Sequence, residues 1–70
     1  MDKFPLEIRL IHLRKINGYT QWDVAELLDI SRSTLSKYEK GLLIPNVENL
    51  IKLADLYNVS CDYLLGRENL

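Results

Sequence analysis

Arg32, Ser33, Ser36 and Lys37 are four hydrogen-bonding side chains within six residues. A helix that starts after Ser31 and turns ~100° per residue gathers them on one face. With Leu35 at the origin, Arg32 falls at about 60°, Ser36 at about 100°, Ser33 at about 160° and Lys37 at about 200°. Leu35 and Tyr38 lie on the other side. The chemistry open to such a row is the reading of base edges. Arginine grips guanine O6 and N7 with two hydrogen bonds, serine is short enough to let a backbone approach, and lysine reaches a guanine or a phosphate. The row equally describes the solvated face of a helical bundle, so by itself it decides nothing.

Its surroundings favour the first reading. Thr20 and Gln21, at the start of the preceding helix, can offer a backbone amide and a side-chain amide to a phosphate, aided by the helix dipole. Lys40 lies at the far end of the row, and Arg14 and Lys15 add positive charge. Asp55 and Asp62 belong to later segments, whereas Asp23 and Glu26 are nearer and count against a basic face. The net charge is −1, which argues mildly against a polyanionic partner. A local basic patch still attracts phosphate when acids elsewhere cancel the sum.

Other chemistries are poorly provided for. His12 is the one histidine, with no Cys, Asp or Glu at a triad-like spacing, and it reads as a surface side chain. The three glycines stand apart, so no glycine-rich phosphate loop exists. One cysteine and one histidine exclude an internal disulfide framework and a self-contained zinc site. No enzymatic activity, metal, cofactor or small-molecule ligand is expected.

The elements that position the row follow from caps and stops. The pattern predicts helices over 5–17, 21–28, 32–40, 46–57 and 61–65. Pro5 suits a first turn, and Thr20, Ser31, Asn46 and Ser60 are cap residues. Gly18, Gly41 and Gly66 suit helix ends, and Asp29 tolerates the left-handed geometry needed between the second and third helices. Leu6, Leu10 and Leu13 make one core stripe; Val24, Leu27 and Leu28 make another. Val47, Leu50, Ile51, Leu53, Ala54 and Tyr57 give the fourth helix a broad apolar face, as a central helix requires. Pro45 keeps Ile44 out of a helix, and one of Leu42 and Leu43 is expected to plug the core edge.

The result is a compact all-α fold of five short helices, one domain over residues 1–66 with a short tail over 67–70. A chain of this size buries only about 60–65% of its unfolded surface, so stability is modest. The apolar fraction of 47% argues against disorder. Apolar runs are too short for a membrane span or signal peptide, which makes a reducing, cytoplasmic compartment the expectation. A second apolar strip, Phe4, Ile8 and Ile11, lies opposite the first stripe of helix one. It reads either as scattered surface or sandwiched apolars, or as a patch facing a protein partner.

Three stretches carry a resemblance: Thr20-Gln-x-x-Val-Ala-x-x-Leu-x-Ile-Ser-Arg-Ser-Thr-Leu-Ser-Lys-Tyr-Glu-Lys-Gly41, Ile44-Pro-Asn-x-x-x-Leu-x-Lys-Leu-Ala54, and Val59-Ser-Cys-Asp-Tyr-Leu-Leu-Gly66. With Leu13-Arg14-Lys15 and Gly18 they cover nearly the whole chain. The pattern resembles the Cro/phage-repressor family of helix-turn-helix domains, often called XRE-like. The resemblance implies a lambda-repressor-like five-helix domain acting as a transcriptional regulator, a repressor, with double-stranded operator DNA as partner and the chain as a homodimer. It implies Arg32, Ser33, Ser36 and Lys37 as base readers, and Thr20, Gln21, Thr34 and Lys40 as phosphate contacts. It further implies an Arg14–Glu39 salt bridge tying the first helix to the third, a close helix crossing at Ala25, and a dimer surface near Cys61, Tyr63 and Leu64. Cys61 also reads as a small buried hydrophobe. The alternative is an antitoxin- or antirepressor-type interaction module that keeps the fold and uses its apolar strips. Trp22 departs from the family pattern, which favours a small, charged or polar residue there. It points away from Val24, Leu27 and Leu28, so it is expected to be exposed, flanking a phosphate, packing on Lys or Arg, or meeting a partner.

Overall fold

The computed structural model describes residues 5–67. Within them the chain forms α1 (Leu6–Ile16), α2 (Gln21–Leu28), α3 (Arg32–Lys40), α4 (Val47–Tyr57) and α5 (Cys61–Leu64). No helix among the described residues is long and apolar enough to cross a membrane. Phe4 and the tail residues 68–70 lie outside the described residues, so the apolar strip of α1 is represented by Ile8, which is exposed, and Ile11, which is half-buried.

Local chemistry sets the boundaries. Four helices open on a side-chain cap: Thr20, Ser31, Asn46 and Ser60 accept from the amides of Asp23, Thr34, Asn49 and Tyr63. Thr20 and Asp23 cap each other, because the Thr20 amide also donates to Asp23 Oδ2 at 2.8 Å. The five helices end alike. At α2 the Asp29 amide donates to Glu26 and the Ile30 amide reaches back to the Ala25 carbonyl at 3.0 Å. The same pair of bonds recurs at Gly18–Tyr19, Gly41–Leu42, Asn58–Val59 and Gly66–Arg67. This stop requires a left-handed residue. Glycine supplies it three times, while Asp29 (φ 59°) and Asn58 (φ 56°) supply it with short polar side chains that tolerate the geometry.

The helices enclose one core of Leu10 and Leu13 from α1, Val24, Ala25 and Leu28 from α2, Leu35 and Tyr38 from α3, Leu53, Ala54 and Tyr57 from α4, and Leu64 from α5. α3 packs against both α1 and α2, so the scaffold fixes its inner face and leaves the outer one free. Ala25 is buried, with only a methyl group to accommodate. Asn49 of α4 donates its amide to the Tyr38 hydroxyl at 2.9 Å, and Lys52 donates to the Leu28 carbonyl at the end of α2.

Several expectations are corrected. Leu27 is 58% exposed, because one helical step carries it off the Val24–Leu28 line to a surface cleft beside Lys52, Asp55 and Leu56. Val47 (73% exposed) and Ile51 flank the true buried line of α4, which is Leu53, Ala54 and Tyr57, with Leu50 packed at its edge. Neither Leu42 nor Leu43 plugs the core edge; both are exposed, as is Ile44, and Pro45 is the buried residue of that loop. Leu64 is fully buried in the domain's own core and so has no side-chain surface for a second subunit. Cys61 and Tyr63 are half-buried against the same core.

Leu53→Ala removes a fully buried side chain from the centre of this core. Chemical denaturation should show a loss of about 2–5 kcal/mol, and a loss below ~1 kcal/mol would mean that Leu53 is not a core residue.

Candidate nucleic-acid interface

α3 turns Leu35, Tyr38 and Glu39 inward. Arg32, Ser33, Lys37 and Lys40 are exposed on its outer side, with Thr34 and Ser36 half-buried at the margin. The row expected from the helical period is therefore contiguous at the surface. The Ser31 hydroxyl donates to Thr34 Oγ1 at 2.9 Å and accepts the Thr34 amide, so the Thr34 hydroxyl is part of the α3 cap.

Glu39 is the one charged side chain on the inner face of α3, 5% exposed. A buried carboxylate needs a countercharge and hydrogen bonds. Arg14 of α1 supplies both through two bonds, Nε to Oε2 at 2.8 Å and Nη2 to Oε1 at 3.1 Å. Its Nη1 donates to the Tyr19 carbonyl in the α1–α2 connection. The Arg14 pKa is raised, foremost by the hydrogen bond to Glu39 and in spite of desolvation. Tyr57 lies under this pair, and its pKa is raised above the ordinary 10, mainly by burial and next by the charge of Glu39.

Gln21 stands at the start of α2, and its side-chain amide is turned to α3. Its Nε2 donates to Glu39 Oε1 at 3.0 Å, and its Oε1 accepts from Arg32 Nη1 at 3.0 Å. Both ends of the side-chain amide are engaged within the protein. The Thr20 amide is likewise taken by Asp23. What α2 still presents at its start are the amides of Gln21 and Trp22, which have no carbonyl partner within the helix, since the Asp23 amide is taken by Thr20 Oγ1. A continuous chain of contacts thus runs Arg14–Glu39–Gln21–Arg32, spanning α1, α3 and α2. Trp22, next to Gln21, is 69% exposed, and the Arg32 Cζ sits 5.2 Å from its ring centroid. Nothing in local spacing points to Gln21 or Trp22 as partners of Arg32, since the pairs are 11 and 10 residues apart; only the cationic and aromatic residue types hint at them.

Two short helices at a capped tight turn, the second packed on a scaffold and presenting a polar row, define the helix-turn-helix class. The chain belongs to the helix-turn-helix family, whose profile matches residues 10–64. Over 60 residues it is 48% identical to the HTH-type transcriptional regulator ImmR of Bacillus subtilis (strain 168), covering 86% of this chain and 47% of ImmR. It is 42% identical over 59 residues to the cryptic phage CTXphi transcriptional repressor RstR of Vibrio cholerae, covering 84% of this chain and 53% of RstR. The chain thus spans about half the length of these relatives. Its fold superposes on the P22 c2 repressor protein, solved in complex with a synthetic operator, with a TM-score of 0.87 and 28% identity over 93% of this chain and 98% of the other.

Arg14→Ala leaves the buried Glu39 carboxylate without its countercharge. Urea denaturation should show a loss of about 3–5 kcal/mol, with a smaller loss when both residues are replaced by methionine. Tyr57 gives a pH signature. The folded state holds the phenolic proton more tightly than the unfolded chain does, so this stabilisation is full below pH ~10 and is lost as pH rises beyond it. The alkaline fall in melting temperature should be shallower in Tyr57→Phe; an identical fall would remove Tyr57 from the account.

Proposed function

We propose that this chain is a sequence-specific DNA-binding transcriptional regulator, a repressor, that binds its operator as a homodimer with α3 in the major groove. The observation that carries this reading is the division of α3: Arg32, Ser33, Lys37 and Lys40 on the exposed face, and the carboxylate of Glu39 turned inward and neutralised by Arg14. A groove lined with phosphates and acceptor edges tolerates such a face, and would repel one carrying an unpaired carboxylate. The likeness to a repressor solved on its operator and to two transcriptional regulators supports the same reading. In this reading the chain acts in the cytoplasm at the nucleoid and carries no catalytic chemistry or cofactor.

In this reading Arg32, Ser33, Ser36 and Lys37 address base edges. Lys40 and the free amides at the start of α2, including that of Gln21, address phosphates, with Thr20 and Thr34 close by. Half-sites lie about one helical turn apart, ~34 Å.

A second reading is favoured by Leu42, Ile44, Val47 and Ile51, large apolar side chains left exposed in the α3–α4 loop and along α4. In that reading the fold serves as an antitoxin- or antirepressor-type interaction module. Salt-dependent binding to random duplex separates the two, because a pure interaction module shows none.

Arg32→Ala should lose ~1–3 kcal/mol of preference at one base pair. Lys40→Ala should weaken binding to all sequences alike and reduce the slope of log K against log salt by about 0.9. Both are read from fluorescence anisotropy on a duplex selected from a random pool and on random duplex across a salt series. Wild-type behaviour in both variants would sink the groove assignment.

A further inference from the structure

Trp22 is the chain's only tryptophan, and neither the core nor the cap of α2 uses it. Its large exposed ring has one described contact of note, the guanidinium of Arg32 over its face at 5.2 Å. The same guanidinium is held along its edge, where Nη1 donates to Gln21 Oε1. Gln21 is in turn anchored on Glu39, which is buried and paired with Arg14. The arginine at the start of α3 is therefore gripped from two directions by consecutive residues of α2, and one of those grips is tied to the domain core.

We propose that Trp22 is a positioning residue for base reading: by stacking on Arg32 it orients that guanidinium for a guanine edge in the major groove. This rests on the groove reading above and adds to it a determinant outside the recognition helix. Stacking uses the flat face of a guanidinium and leaves its in-plane N–H groups available. The edge bond to Gln21 takes one of them. Those that remain are the kind that bind guanine O6 and N7 as a pair. An unrestrained arginine on an exposed helix start samples many rotamers and must surrender them on binding a base. Contacts with phosphates on random DNA make no such directional demand. Holding Arg32 in advance therefore acts on discrimination between sequences rather than on attraction to DNA in general.

The test uses a duplex selected from a random pool by the wild-type protein, together with versions changed at each single base pair. Arg32→Ala first marks the base pair that Arg32 reads. Trp22→Ala should lower the preference at that base pair by about two- to fivefold, the scale of an exposed cation–π contact, and at no other. Trp22→Phe, which keeps a ring face, should recover most of it. The double variant Trp22→Ala/Arg32→Ala should lose no more at that position than Arg32→Ala alone. Emission from Trp22, unmixed with any other indole, should shift in Arg32→Ala relative to wild type before DNA is added.

A loss spread evenly over all sequences would overturn the proposal and make Trp22 a backbone contact. Unchanged discrimination in Trp22→Ala, with Arg32→Ala retaining its base-pair signature, would overturn the proposal alone. No base-pair signature in Arg32→Ala would overturn the groove reading and this inference with it.

Discussion

Glu39 puts a negative charge in the last turn of the helix that carries Arg32 and Lys37, and the way it is buried governs the rest of the surface. An isolated carboxylate in a protein interior costs several kcal/mol. Here it accepts two bonds from Arg14 and one from Gln21, so the cost is offset by partners on two other helices. The arrangement clamps α3 to α1 and α2 at the same moment that it removes a repulsive charge from the outer face. One interaction thus serves orientation, cohesion and electrostatics together.

The remainder of the scaffold can be small because its helix ends are so well specified. Each of the five helices finishes on a left-handed residue with a paired set of back-bonds, and four begin on a side-chain cap. Orphan amides and carbonyls are costly when they lose water, so satisfying them locally lets short helices meet at sharp angles. The Asp29 stop and the Ser31 cap lie two residues apart. That spacing makes the α2–α3 turn tight enough to bring Gln21 and Trp22 alongside Arg32.

Apolar surface is distributed unevenly. The core takes only the innermost line of α4, and Ile44, Val47 and Ile51 remain in solvent with Leu42. Periodicity marks which residues share a helix face, but the width of the buried part depends on how many neighbours reach that face. In a domain this size few do, and the margins of each apolar stripe stay open. The same limit explains Leu27, and it explains why Pro45 rather than a leucine closes the loop edge.

The five helices, their caps and stops, the polar row on α3 and the family pattern are legible in the amino-acid sequence, because each rests on residues within about four positions of one another or on a linear motif. The Arg14–Glu39 pair was legible only through the resemblance, since nothing local links positions 25 residues apart. Tertiary structure alone decided that Gln21 spends its side chain on Glu39 and Arg32, that Leu64 belongs to the core, and that Trp22 lies against Arg32. Those outcomes depend on which helices approach and at what angle. An exposed tryptophan acquires a role when the fold carries an arginine to its face.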